Sequence, residues 1–106
     1  MQTLQFERPG RAVALRSVIV GCVGSGDLEV MLEPGVGSMT TIDIKTSVSG
    51  SEVRWRQVLD LIESNSALPL MRMDIHDFGA TPGVIRLRIE QAIEKARETE
   101  AQEATE

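Results

Sequence analysis

Along the first half of the chain apolar and polar residues alternate, and the alternation marks out strands. Residues 2–6 alternate weakly, and AVALRSVIVGCV (12–23) is a longer β-rich run centred on Val18, Ile19 and Val20. DLEVMLE (27–33) puts Leu28, Val30 and Leu32 on one face and Asp27, Glu29 and Glu33 on the other. TTIDIKTSV (40–48) does the same with Ile42, Ile44 and Val48 against Asp43, Lys45 and Ser47. Successive side chains of a strand point to opposite faces, so both segments predict half-buried antiparallel strands with one wet face. EPGVGSM (33–39), between them, holds a proline and two glycines and predicts a turn. The order predicts a meander.

The period then changes. In EVRWRQVLDLIESN (52–65), Trp55, Val58, Leu59 and Ile62 recur at i, i+3, i+4 and i+7, one face of a helix, with Ser51 as its expected N-cap. LPLMRMDIHDFG (68–79) returns to alternation, with Met71, Met73 and Ile75 opposite Arg72, Asp74 and His76. Thr81-Pro82 reads as an N-cap followed by a proline in the first helical turn, opening a stripe of Ile85, Ile89, Ala92, Ile93 and Ala96. VIRLRIE (84–90) also alternates, but the longer stripe and the proline favour helix. The expected fold is α+β: an antiparallel sheet of four to five strands with two helices packed on one face.

Composition narrows the function classes. With 42% hydrophobic and 25% charged residues in 106, the expectation is one ordinary domain over residues 1–95 and an acidic, disordered tail over 96–106. From Glu94 onward five glutamates face only Lys95 and Arg97, leaving residues 1–93 a net charge of about −2 out of the total −5. Without a basic stripe, and with two Phe, one Trp and no Tyr, nucleic-acid binding is not expected. The N-terminus has no basic region followed by an apolar run, so a cytoplasmic protein with no membrane association is expected. Cys22, the one cysteine, offers no disulfide or metal knuckle and is expected to be a small buried hydrophobe.

One stretch draws attention chemically. VGSGDLEV (23–30) sets Ser25 between Gly24 and Gly26 with Asp27 behind. A nucleophilic serine needs a base, and the single histidine, His76, lies far along the chain beside Asp74 and Asp77; the spacing is not that of a G-x-S-x-G elbow. A polar position on the solvent face of an edge strand is the expectation for His76. No metal set and no phosphate-binding glycine loop is spelled out. The residues alone read as a hairpin turn, since Gly and Asp tolerate positive φ. That turn would leave a hydroxyl bare for another enzyme to reach.

VGSGDLEV, TSVSGSEVRW (46–55) and above all DIHDFGATPGVIRLRIEQA (74–92) resemble the acyl carrier (delta) subunit of bacterial malonate decarboxylase, over roughly residues 1–95. The HDFGATPG block is the most specific part. The resemblance implies that Ser25 carries 2'-(5''-phosphoribosyl)-3'-dephospho-CoA through a phosphodiester, with Gly24, Gly26 and Asp27 forming the attachment turn and His76, Asp77 and Phe78 a docking surface. Asp27 either orients the serine hydroxyl or a metal of the attaching enzyme, or simply forms the turn. The implied partners are the acyltransferase (alpha) and decarboxylase (beta, gamma) subunits, a malonyl transferase and the prosthetic-group transferase. The chain itself is then non-catalytic: acetyl on the arm's thiol is exchanged for malonyl, which other subunits decarboxylate to regenerate acetyl. A citrate lyase-type carrier is the nearest alternative, and a non-enzymatic interaction module the next.

Overall fold

The computed structural model describes the backbone of residues 1–105 and the side chains of residues 1–97. Its elements run β1 (Gln2–Pro9), β2 (Val18–Gly21), β3 (Leu28–Pro34), β4 (Met39–Thr46), α1 (Glu52–Asn65), β5 (Met71–Asp77) and α2 (Pro82–Thr105). The expected tail, 96–106, falls mostly outside the described side chains. Residues 84–90 are helical, as the apolar stripe and the proline favoured.

The five strands form one sheet in the order β1-β4-β5-β3-β2. Three of its four pairings are antiparallel; β4 and β5 run parallel, because α1 carries the chain back across the sheet between them. The sheet is therefore mixed, and the meander is interrupted: β5 inserts between β3 and β4. Sequence adjacency hid this, since the strand that fills the gap arrives only after the helix. The β3–β4 connection passes close over the start of β5, where Gly35 donates its N–H to Leu70 O (3.2 Å) and a Cβ at Gly35 would lie 2.8 Å from Met71 N.

The predicted alternation holds in every long strand. Leu4, Phe6, Leu28, Val30, Leu32, Ile42, Ile44, Met71, Met73 and Ile75 are buried on one face, against Trp55, Val58, Leu59 and Ile62 of α1 and Ile85, Ile89, Ala92 and Ala96 of α2. Removing a buried side chain as large as these typically costs about 2–5 kcal/mol, so this layer holds the fold together. The opposite face is open, with Asp43, Lys45, Arg72, Asp74 and His76 half-buried or exposed on it.

Two local expectations are corrected. Of residues 12–23, only Val18–Gly21 is strand. β1 and β2 lie on opposite edges, so the residues between must cross the end of the sheet; on the way Arg11 exchanges backbone bonds with Leu68 and Leu70, and Arg16 N–H donates to Ala96 O (3.1 Å). Ser51 does stand at the N-cap of α1, but its hydroxyl donates to Val48 O (3.1 Å) and makes no cap bond. Thr81 behaves as expected, its Oγ1 accepting from Val84 N–H (3.3 Å).

Candidate functional site

β2 and β3 are joined by residues 22–27. Gly21, at the end of β2, has φ +85°, and a Cβ there would come within 2.0 Å of Leu28 O, so glycine is required where the two strands part. At the tip, Asp27 N–H donates to Gly24 O (3.1 Å) and closes a turn centred on Ser25 and Gly26. Gly26 has φ +77° and Ser25 is not left-handed, the type II pattern. The expected turn is present, with its positive φ carried by Gly26 and not by Asp27.

Ser25 is exposed at this tip, and no hydrogen bond among the described residues engages its hydroxyl. A Cβ on Gly26 would meet nothing within 4 Å, and one on Gly24 would meet only Cys22 Sγ at 4.0 Å. Gly24 does not have a left-handed φ either. Neither packing nor backbone geometry therefore demands glycine at position 24, and the absence of a side chain there leaves open space beside the Ser25 hydroxyl.

The turn rests on the loop between β5 and α2. Leu28 pairs with Asp77 in the β3–β5 ladder, and two further bonds extend that ladder beyond the strand ends: Gly26 N–H to Phe78 O (2.8 Å) and Phe78 N–H to Asp27 O (3.0 Å). Below them Asp77 is buried. Its Oδ2 accepts from Thr46 Oγ1 (2.8 Å), its Oδ1 from Ala80 N–H (2.9 Å), and its carbonyl from Ser47 N–H (3.1 Å). A buried carboxylate is tolerated where its oxygens are hydrogen-bonded, and these bonds tie the ends of β4 and β5 to the loop. The HDFGATPG block thus has a structural reading: Asp77 anchors, Phe78 braces the turn through its backbone, Gly79 supplies φ +88°, and Thr81 caps α2.

The Asp27 carboxylate gathers four donors. Arg88 of α2 reaches it with two parallel bonds, Nε to Oδ1 (3.1 Å) and Nη2 to Oδ2 (2.9 Å). Leu28 N–H donates to Oδ1 (2.7 Å) and Cys22 Sγ to Oδ2 (3.2 Å). The Arg88 guanidinium, then the Leu28 N–H and the Cys22 thiol, pull the carboxyl down to about 2 from its ordinary 3.8. The same bond pushes the Cys22 thiol up, because the carboxylate holds its proton. Cys22 is exposed, so it is not the buried hydrophobe expected: it lies just past the end of β2, where the chain leaves the sheet.

His76 also departs from expectation. β5 is the central strand, not an edge, and His76 lies half-buried on the open face between Glu29 of β3 and Lys45 of β4. Ser25, His76 and Asp77 form no relay, since both Asp77 oxygens are engaged by Thr46 and Ala80. The residue that local reasoning missed is Arg88. It is 61 positions from Asp27 in sequence, and the only local hint is its place on α2 next to Ile89, beside the stripe that packs on the sheet. Among the described residues no three His, Cys, Asp or Glu are grouped to hold a metal, and no helix is long and apolar enough to cross a membrane.

Comparison with known proteins places this geometry in context. The model of the family described as malonate decarboxylase delta subunit (MdcD) matches residues 15–96. The malonate decarboxylase acyl carrier protein of Azotobacter vinelandii is 53% identical over 95 residues, covering 90% of this chain and 96% of that protein. The protein of the same name from Pseudomonas fluorescens (strain SBW25) is 52% identical with the same coverage. Among solved structures, a chain of a Pseudomonas malonate decarboxylase hetero-tetramer in complex with malonate superposes with a TM-score of 0.86 at 49% identity, over 90% of this chain and 98% of that one.

Proposed function

The chain belongs to the malonate decarboxylase delta subunit family, and on that premise we propose that it works as the acyl carrier of such a complex, with the Ser25 hydroxyl as the point of attachment. The proposed group is 2'-(5''-phosphoribosyl)-3'-dephospho-CoA, joined through a phosphodiester. The observation that carries the reading is an exposed serine hydroxyl with no hydrogen-bond partner among the described residues, on a turn whose glycines leave open space around it. These residues fit the group: the hydroxyl protrudes, and nothing on the turn blocks an enzyme approaching it.

When bound, the group supplies a thiol on a flexible arm, on which acetyl or malonyl rides as a thioester. The chain contributes position. Gly26 provides the left-handed bend, the Phe78 bonds hold the base of the turn, and Asp77 with Thr46 fixes the floor beneath it. Among the described residues the Ser25 side chain makes no hydrogen bond and is left to move with the arm. Tethering raises the effective concentration of the acyl group at successive active sites, provided the arm spans them. Among the described residues no base is bonded to Ser25, which supports a carrier and not a catalyst; acyl transfer and decarboxylation belong to the alpha, beta and gamma subunits, and a malonyl transferase and a dedicated prosthetic-group transferase act on the carrier. Of the three expected docking residues, Phe78 is half-buried beside the turn and His76 half-buried on the open face, whereas Asp77 is buried in the floor and offers no surface to a partner. The complex is proposed to be cytoplasmic.

Mass spectrometry of the chain purified from its own host tests the assignment. The expected result is the added mass of the prosthetic group on the peptide containing Ser25, absent after Ser25→Ala. An unmodified chain in a complex that still decarboxylates malonate would overturn it.

A further inference from the structure

We propose that Arg88 is the receptor for the phosphate esterified to Ser25, holding the first anionic group of the arm against the turn; the inference rests on Ser25 being the attachment point. Arg88 comes from α2, yet its guanidinium is fixed beside the residue two places after Ser25 by the paired bonds to Asp27. Its remaining bond is to Gln91 Oε1 (3.1 Å), so two of the five N–H groups of the fork have no partner among the described residues. The side chain is 29% exposed, enough for an anion to reach it. Arg86, two residues earlier, turns to Glu90 instead (2.9 Å).

Charge explains why the cation is needed at this place. A phosphodiester on Ser25 would stand close to the ionised Asp27 carboxylate, which repels it. Arg88, already paired to that carboxylate, neutralises it and offers its free N–H groups to the phosphate oxygens, for which a planar fork is well suited. Asp27 accordingly acts as a positioning residue: it aims the guanidinium and does not itself contact the arm.

The test uses the full chain with Ser25→phosphoserine, whose phosphate titrates near pH ~6 and is followed by phosphorus NMR. It is compared with the same chain carrying Arg88→Gln, Asp27→Asn or both; the double variant removes both charges, so neither partner is left uncompensated. The expected result is that Arg88→Gln raises the proton affinity of the phosphate about three- to tenfold, and by less once Asp27→Asn has removed the group that aims the guanidinium. A contact also survives in 1 M salt, which screens charges more than about 3 Å apart. Identical titration with and without Arg88, or a difference that vanishes in 1 M salt, would overturn the proposal. Because the phosphate is installed directly, this result is independent of whether the native chain carries an arm, which the mass measurement decides.

Discussion

Asp77 ends β5, Asp27 stands one position before Leu28, its partner in the register, and the fold uses the two carboxylates in opposite ways. Asp77 is 1% exposed and its carboxylate is held by a hydroxyl and a backbone N–H, which makes it part of the floor. Asp27 lies at the surface, its carboxylate bound by a cation from a distant helix and by an exposed thiol. The difference shows how a protruding serine is kept presentable. The turn has little packing of its own and borrows rigidity from the loop after β5, while its charge is set from α2.

The largest test of this contrast is Ser25→Ala. It should abolish both the added mass and the decarboxylation of the assembled complex while leaving stability within about 0.5 kcal/mol, as an exposed residue whose hydroxyl has no partner among the described residues should. Urea unfolding that showed a substantial loss would mean the hydroxyl belongs to the fold. Asp77→Ala should do the reverse, costing about 2–4 kcal/mol by leaving the Thr46 hydroxyl and Ala80 N–H buried without acceptors, and this is read from the shift of the urea midpoint. Gly26→Ala should cost about 1 kcal/mol because of its left-handed φ, whereas Gly24→Ala should leave stability nearly unchanged and slow attachment of the arm. A comparable stability loss at both positions would show that the bareness at Gly24 is structural. The smallest effect is an acid one. The Asp27 carboxyl is lowered from 3.8 to about 2 in the folded chain, so its contribution is complete above pH ~4 and fades as the pH falls towards 2. Wild type and Asp27→Asn should differ in urea midpoint at pH 5 and converge near pH 2; a constant gap would contradict the ion pair.

Much of the architecture could be read locally. The alternation in Leu28–Leu32 and Ile42–Ile44 and the helical spacing of Trp55, Val58, Leu59 and Ile62 name the buried faces correctly, because the period of apolar residues follows from backbone geometry alone. The same reasoning overextended β2 to residues 12–23, since a β-rich composition cannot tell a strand from a segment that crosses the sheet end. It placed His76 on an edge and Cys22 in the core, because both depend on which strand becomes whose neighbour. The carrier serine was legible from Gly24 and Gly26 and from the resemblance of the surrounding blocks, but its support was not.

By itself the sequence determined the elements, the face each one buries and the glycine-flanked serine, all consequences of residue type and spacing over a few positions. Only the tertiary structure decided that β5 enters the middle of the sheet, that the Phe78 loop braces the turn, and that Arg88 meets Asp27. Those contacts join residues about 30 to 60 positions apart, and such pairings are set by how the sheet and helices pack together, which no local period encodes.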